Sequence, residues 1–123
     1  MDRALILFAH GARDPRWAEP FQRLQRLIQA QLSGVVVELA FLELMTPPLP
    51  TLVEQLLQNG CRNVTVVPVF LGQGGHVARD LPLIADGLRQ RFPELNLRVA
   101  GAVGEDADVL AAMAAYCIGS LAS

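Results

Sequence analysis

Lysine is missing from this chain: all ten of its basic residues are arginine. Charged residues of any kind make up only 18%, and the formal net charge is -2. That balance excludes the basic face of a general nucleic-acid binder. The arginine bias has a plain source in base composition, but a planar guanidinium fork also suits carboxylate ligands better than an ammonium does. Cysteine occurs twice, as Cys61 and Cys117, with no CxxC pair, so neither a disulfide framework nor a redox motif is present. Each lies in or beside a predicted helix and reads as a buried free thiol. No apolar run approaches the roughly 18 residues of a membrane span. Met1-Asp2-Arg3-Ala4 leads directly into a short apolar strand, without the apolar region and cleavage site of a signal peptide. The expectation is a cytoplasmic protein with no membrane partner. Repeats, low-complexity tracts and linkers are also missing, so residues 1–123 read as one domain.

What is present is apolar residues, 52% of the chain, arranged in alternating strand and helix patterns. Residues 4–9 form a continuous apolar run, as in a strand covered on both faces. Asp14 and Pro15 then read as an N-cap and first helical residue, and Trp17, Phe21, Leu24, Ile28 and Leu32 recur at helical spacing over 15–32. Residues 35–42 form a second strand. A Pro-rich turn follows, then a helix with Leu49, Leu52, Val53, Leu56 and Leu57 on one stripe, stopped by Asn59-Gly60. The third strand is 63–70, with Pro68 marking a bulge or the end of regular pairing. A loop over 71–80 precedes a helix over about 81–92, capped by Asp80. A last strand (96–101) leads to a last helix (106–121), expected to bury Val109, Leu110, Met113 and Cys117. Four βα units predict an α/β, flavodoxin-like three-layer domain with a four-stranded parallel sheet in the order 2-1-3-4.

In such a sheet, ligands bind beyond the carboxyl ends of the strands where the strand order reverses, here between the first and third strands. Both histidines fall at that edge. His10 follows the first strand, in Ala9-His10-Gly11-Ala12-Arg13, and His76 lies in the loop after the third, behind Gly72, Gly74 and Gly75. A lone histidine at a strand end can simply hydrogen-bond a neighbouring loop; a second one facing the same crevice turns the reading toward metal or proton chemistry. Glu43 ends the second strand at the same edge and offers a metal ligand or general base. Arg13 and Arg79 each follow a histidine by three positions and can clamp a carboxylate, though either also fits as a solvated loop residue. The glycines let backbone approach a ligand closely, but their spacing is neither a Walker loop nor a dinucleotide fingerprint.

His10-Gly11-Ala12-Arg13, Phe41-Leu42-Glu43 and the run Leu71-Gly72-Gln73-Gly74-Gly75-His76-Val77-Ala78-Arg79-Asp80-Leu81-Pro82 resemble the short sirohydrochlorin chelatases, class II tetrapyrrole chelatases of the CbiX type. The resemblance extends from the first strand to the last. One departure is Ala12, where the family often has serine. The resemblance implies ATP-independent insertion of a divalent metal into sirohydrochlorin, most simply Co²⁺ for cobalamin biosynthesis, with Fe²⁺ or Ni²⁺ as alternatives. It implies no organic cofactor. It also implies His10 and His76 as metal-handling residues, Glu43 as the supporting acid, and a homodimer, because longer relatives fuse two such lobes around one cleft. Arg13, Arg79 and the glycine loop would anchor substrate carboxylates. Two rivals remain: a non-enzymatic carrier of metal or tetrapyrrole, and a receiver or nucleotide-binding domain on the same fold. The receiver needs an acidic cluster after the first strand, where this chain has His-Gly.

Overall fold

A four-stranded, all-parallel sheet in the order β2-β1-β3-β4 organises the chain, as the alternating pattern predicts. The computed structural model describes residues 2–72 and 74–122, with the side chains of Gly75, His76 and Ala78 outside that description. The strands are β1 (Arg3–Ala9), β2 (Val35–Phe41), β3 (Asn63–Pro68) and β4 (Asn96–Val99). The helices are α1 (Glu19–Gln31), α2 (Leu49–Gln58), α3 (Gly75–Arg91) and α4 (Ala107–Gly119). Short 3₁₀ turns precede α1 at Pro15–Ala18 and α4 at Val103–Glu105.

The sheet is a two-sided core. Along β1, Ala4, Ile6 and Phe8 join the cluster under α2 and α3, while Leu7 and Ala9 point to the face covered by α1. Ile6, Phe8, Val53 and Val66 are fully buried, each worth about 1.5–3 kcal/mol relative to an exposed position. Pairing of β1 with β3 runs from Arg3↔Asn63 to Phe8↔Pro68 and stops there. The regular strand ends at Pro68 rather than at residue 70, although Val69 N–H still donates to the Phe8 carbonyl at 2.9 Å; Pro68 itself has no amide hydrogen to give to a neighbouring strand. The last strand likewise stops at Val99, two residues short of expectation.

Two further expectations fail. Helix α3 begins at Gly75, not near residue 81, so most of the supposed loop is helical and Asp80 lies inside the helix instead of capping it. The reason is packing: Val77, Leu81, Ala85 and Leu88 form one buried stripe against the sheet, and burying Val77 extends the helix upstream of the Asp80 and Pro82 signals. The second failure is α4. It forms where expected, with the Asp106 carboxylate accepting the Val109 N–H at 3.1 Å. Yet none of its residues is buried. Leu110 and Met113 lie open, and Cys117 is exposed while Cys61 is buried. Among the described residues, no helix is long and apolar enough to cross a membrane.

Candidate functional site

The carboxyl edge of the sheet carries the loops after β1, β2 and β3, because parallel strands deliver their exits to one side. The first two loops are joined by backbone bonds that continue past the strands. Leu42 N–H donates to the Ala9 carbonyl at 2.9 Å, and Glu43 N–H donates to the His10 carbonyl at 3.1 Å. Gly11 permits this crossing. Its φ is +99°, and a Cβ there would collide with the Glu43 carbonyl oxygen, so only glycine fits. Beyond Glu43 the chain turns sharply: Leu44 takes φ 65°, and Met45 N–H donates to the Glu43 carbonyl at 2.8 Å.

This backbone brings two side chains together across 33 positions of sequence. His10 Nε2 lies 3.1 Å from Glu43 Oε1, with the side chains 44% and 49% exposed. Half exposure leaves both reachable by solvent and ligand while their backbones stay fixed. With an ionised carboxylate as acceptor, Nε2 carries the hydrogen and the imidazole lone pair sits on Nδ1. The His10 ring meets the edge of Phe70 at 6.3 Å between centroids, and Phe70 in turn packs edge-on against Phe8 at 5.9 Å. An aromatic wall from the exit of β3 therefore limits the swing of the imidazole.

His76 occupies the first turn of α3, directly after the Gly74 N-cap and Gly75; its side chain lies outside the described residues, as does the placement of Gln73. Gly72 and Gly74 are exposed between β3 and α3. Arg79 is exposed on the second turn of α3. Arg13 is exposed beside a shallow depression of about 350 Å³ lined also by Ala12, Leu44 and Met45. The structure thus unites His10 with Glu43, and the strand order puts the start of α3 at the same edge. Among the described residues, no third His, Cys, Asp or Glu joins the pair to make a closed metal cluster. Sequence reading missed Phe70 as the residue that backs His10; its position next to the glycine loop, at the end of an apolar run, was the available signal.

Nearby, Asp14 caps the 3₁₀ turn by accepting the Arg16 N–H and also pairs with the Arg16 guanidinium at 2.7 Å. The guanidinium, with help from the backbone N–H, holds the Asp14 carboxyl below its ordinary range.

The CbiX family model matches residues 4–117. The sirohydrochlorin cobaltochelatase of Methanocaldococcus jannaschii is 34% identical over 79 residues, covering 64% of this chain and 55% of the relative. The sirohydrochlorin ferrochelatase of Bacillus subtilis is 26% identical over 113 residues, covering 92% and 43%. The chain therefore spans about half the length of these curated relatives. Among solved structures, the CbiX protein of Marinobacter aquaeolei VT8 superposes with a TM-score of 0.85 at 29% identity, over 97% of both chains. The sirohydrochlorin chelatase SirB of Bacillus subtilis subspecies spizizenii, solved in complex with cobalt, gives a TM-score of 0.74 at 26% identity, over 86% of this chain and 45% of that one.

Proposed function

The chain belongs to the CbiX family, and from that premise we propose that it is an ATP-independent chelatase inserting a divalent metal, Co²⁺ first among them, into sirohydrochlorin. The observation that carries the reading is the His10–Glu43 pair, 3.1 Å apart at the carboxyl edge of the sheet. That spacing suits a hydrogen bond, and it also suits two donors sharing one ion. With each donor about 2.1 Å from a first-row cation, a 3.1 Å separation corresponds to an angle of about 95° at the metal. An arriving ion then takes the place of the bridging hydrogen, which moves to Nδ1 as the neutral imidazole changes tautomer, so both donors face the ion without a net loss of a proton.

His76, in the first turn of α3, supplies the second imidazole. Two imidazoles and one carboxylate hold a cation while leaving positions for the ring nitrogens. Imidazole suits cobalt, nickel and iron alike. As the metal enters the macrocycle, two pyrrole N–H protons leave. Glu43 and the freed imidazoles accept them, and half-exposed side chains pass them on to water. The carboxylate arms of the substrate are met by Arg13, Arg79 and the backbone of Gly72, Gly74 and Gly75. A homodimer completes the cleft, two copies matching the length of relatives about twice as long. Soluble action in the cytoplasm goes with this reading. The B. subtilis relative named a ferrochelatase favours Fe²⁺ as the second candidate metal.

The test is to mix pure protein, sirohydrochlorin and Co²⁺ and follow the macrocycle's absorption. The protein raises the rate well above the spontaneous one, and His10→Ala, His76→Ala and Glu43→Gln each remove at least nine-tenths of that gain, about 1.4 kcal/mol in the barrier, while staying folded. Full activity in both histidine variants, or stoichiometric binding without acceleration, overturns the proposal.

A further inference from the structure

Single leucines on the surface of a folded domain are ordinary, but Leu44 is exposed on backbone that disfavours it. Glu43 N–H is held by the His10 carbonyl at 3.1 Å, and Met45 N–H donates back to the Glu43 carbonyl at 2.8 Å. The second bond closes a three-residue turn with Leu44 at its centre, at φ 65°. A three-residue turn with a positive central φ is the rare, strained form. Among the described residues, the positions with positive φ are Gly11, Gly34, Gly60 and Leu44. Glycine adopts this conformation freely, whereas the Cβ of any other L-residue crowds the following carbonyl.

Packing within the chain does not explain a leucine there. Leu42 packs against the core cluster under α2 and α3, and Met45 packs against the cluster under α1. Leu44, between them in sequence, belongs to neither cluster, and it is 59% exposed. It lines the shallow depression of about 350 Å³ together with Ala12, Arg13 and Met45, one residue from the glutamate that meets His10. The turn itself asks for glycine or asparagine. A strained backbone that shows an apolar side chain to water does not stabilise the free protein, and strain of this kind is kept where a site uses it.

We infer that Leu44 is a substrate-contact residue, its side chain lying against the apolar face of the macrocycle while Arg13, in the same depression, meets a carboxylate arm. This rests on the chelatase reading and adds to it a residue that recognises the ring rather than its acids. The depression fits one edge of such a ligand: an apolar surface beside a single cation suits a molecule that is flat and oily at its centre and acidic at its rim. Covering a leucine that is 59% exposed corresponds to about a tenfold gain in affinity. The contact is the same before and during metal insertion, so it acts on substrate binding and not on the chemical step.

Titration of the full chain with metal-free sirohydrochlorin, followed by the ring's fluorescence, tests this apart from any metal insertion. Leu44→Gly and Leu44→Asn relax the turn and remove the apolar contact, so stability and affinity part company. The urea midpoint stays at or above that of wild type, while Kd for sirohydrochlorin rises about tenfold. With Co²⁺ added, KM for sirohydrochlorin rises in step, kcat stays within about twofold, and KM for Co²⁺ does not move. Leu44→Met keeps an apolar side chain and binds within about twofold of wild type. Wild-type affinity in the glycine and asparagine variants, a methionine variant as weak as they are, or a lowered urea midpoint in Leu44→Gly overturns the inference and leaves the chelatase reading standing. A wild type that binds the ring without accelerating insertion overturns the chelatase reading, and the titration still decides on Leu44. A wild type that binds no sirohydrochlorin overturns both.

Discussion

Replacing Gly11 with alanine tests how tightly the backbone crossing fixes the site. Two effects act on the new methyl group. The first is the φ of +99°, which an L-residue adopts at a cost of about 1–2 kcal/mol. The second is collision with the Glu43 carbonyl oxygen, which forces the β2 exit away from the β1 exit. The bonds at stake are Glu43 N–H to the His10 carbonyl and Met45 N–H to the Glu43 carbonyl, each contributing about 0.5–1.5 kcal/mol. Together these predict a loss of about 2–5 kcal/mol. Gly34 supplies the comparison: its φ is +76° but nothing lies within 4 Å of a Cβ there, so Gly34→Ala carries the conformational cost alone, about 1–2 kcal/mol. Urea denaturation of the two variants separates strain from collision. Chelation should fall at least tenfold in Gly11→Ala and stay near wild type in Gly34→Ala. If Gly11→Ala is no less stable than Gly34→Ala, the crossing is not held as described and the reasoning fails.

Three further outcomes are expected. Phe70→Ala removes a buried ring that supports both Phe8 and His10 and should cost about 3–5 kcal/mol in urea unfolding; a loss under about 1 kcal/mol would show that the aromatic wall carries little. Burial pushes the Cys61 thiol upward, the Asn63 backbone N–H only partly opposing it, so iodoacetamide near pH 8 should leave Cys61 unlabelled until denaturant is added; peptide mapping that finds it modified in the folded protein contradicts this. Asp14 ionises more readily in the folded chain than in the unfolded one, because Arg16 favours the charged form. Its stabilising contribution is therefore full above the usual carboxylate value of about 3.9 and is lost as pH falls through the lowered folded value. Asp14→Asn should be less stable than wild type at neutral pH, and the gap should close in strong acid; a gap that is constant with pH would refute the linkage.

The alternating apolar runs and their Gly/Pro punctuation were enough to read the sheet order, since parallel strands buried on both faces leave a signal of composition rather than of alternation. That His10 and Glu43 share one edge was legible from topology, which brings the exits of β1 and β2 to the same side; their direct contact at 3.1 Å was not, because it depends on the backbone crossing at Gly11. The start of α3 was not, because Asp80 and Pro82 carry the local marks of a helix beginning while the burial of Val77 decides the matter. Phe70 was overlooked because its role is to a neighbour's ring, and no local pattern encodes that. Helix α4 was misread for a different reason. Its apolar composition says that it wants cover, but a sequence does not state where the cover comes from, and within this chain none of it is buried.

The rungs linking β1 to β2 begin at Arg3↔Val35 and run to Ala9↔Phe41, and the bonds that fix His10 against Glu43 are their continuation. The spacing between imidazole and carboxylate is thus measured out by a ruler seven residues long. A slip of β2 by a single notch would carry the glutamate about 3.3 Å along the strand and turn its carboxylate to the other side of the sheet. Substitutions at the far amino end of these strands, remote from any ligand, can therefore silence the edge without touching it.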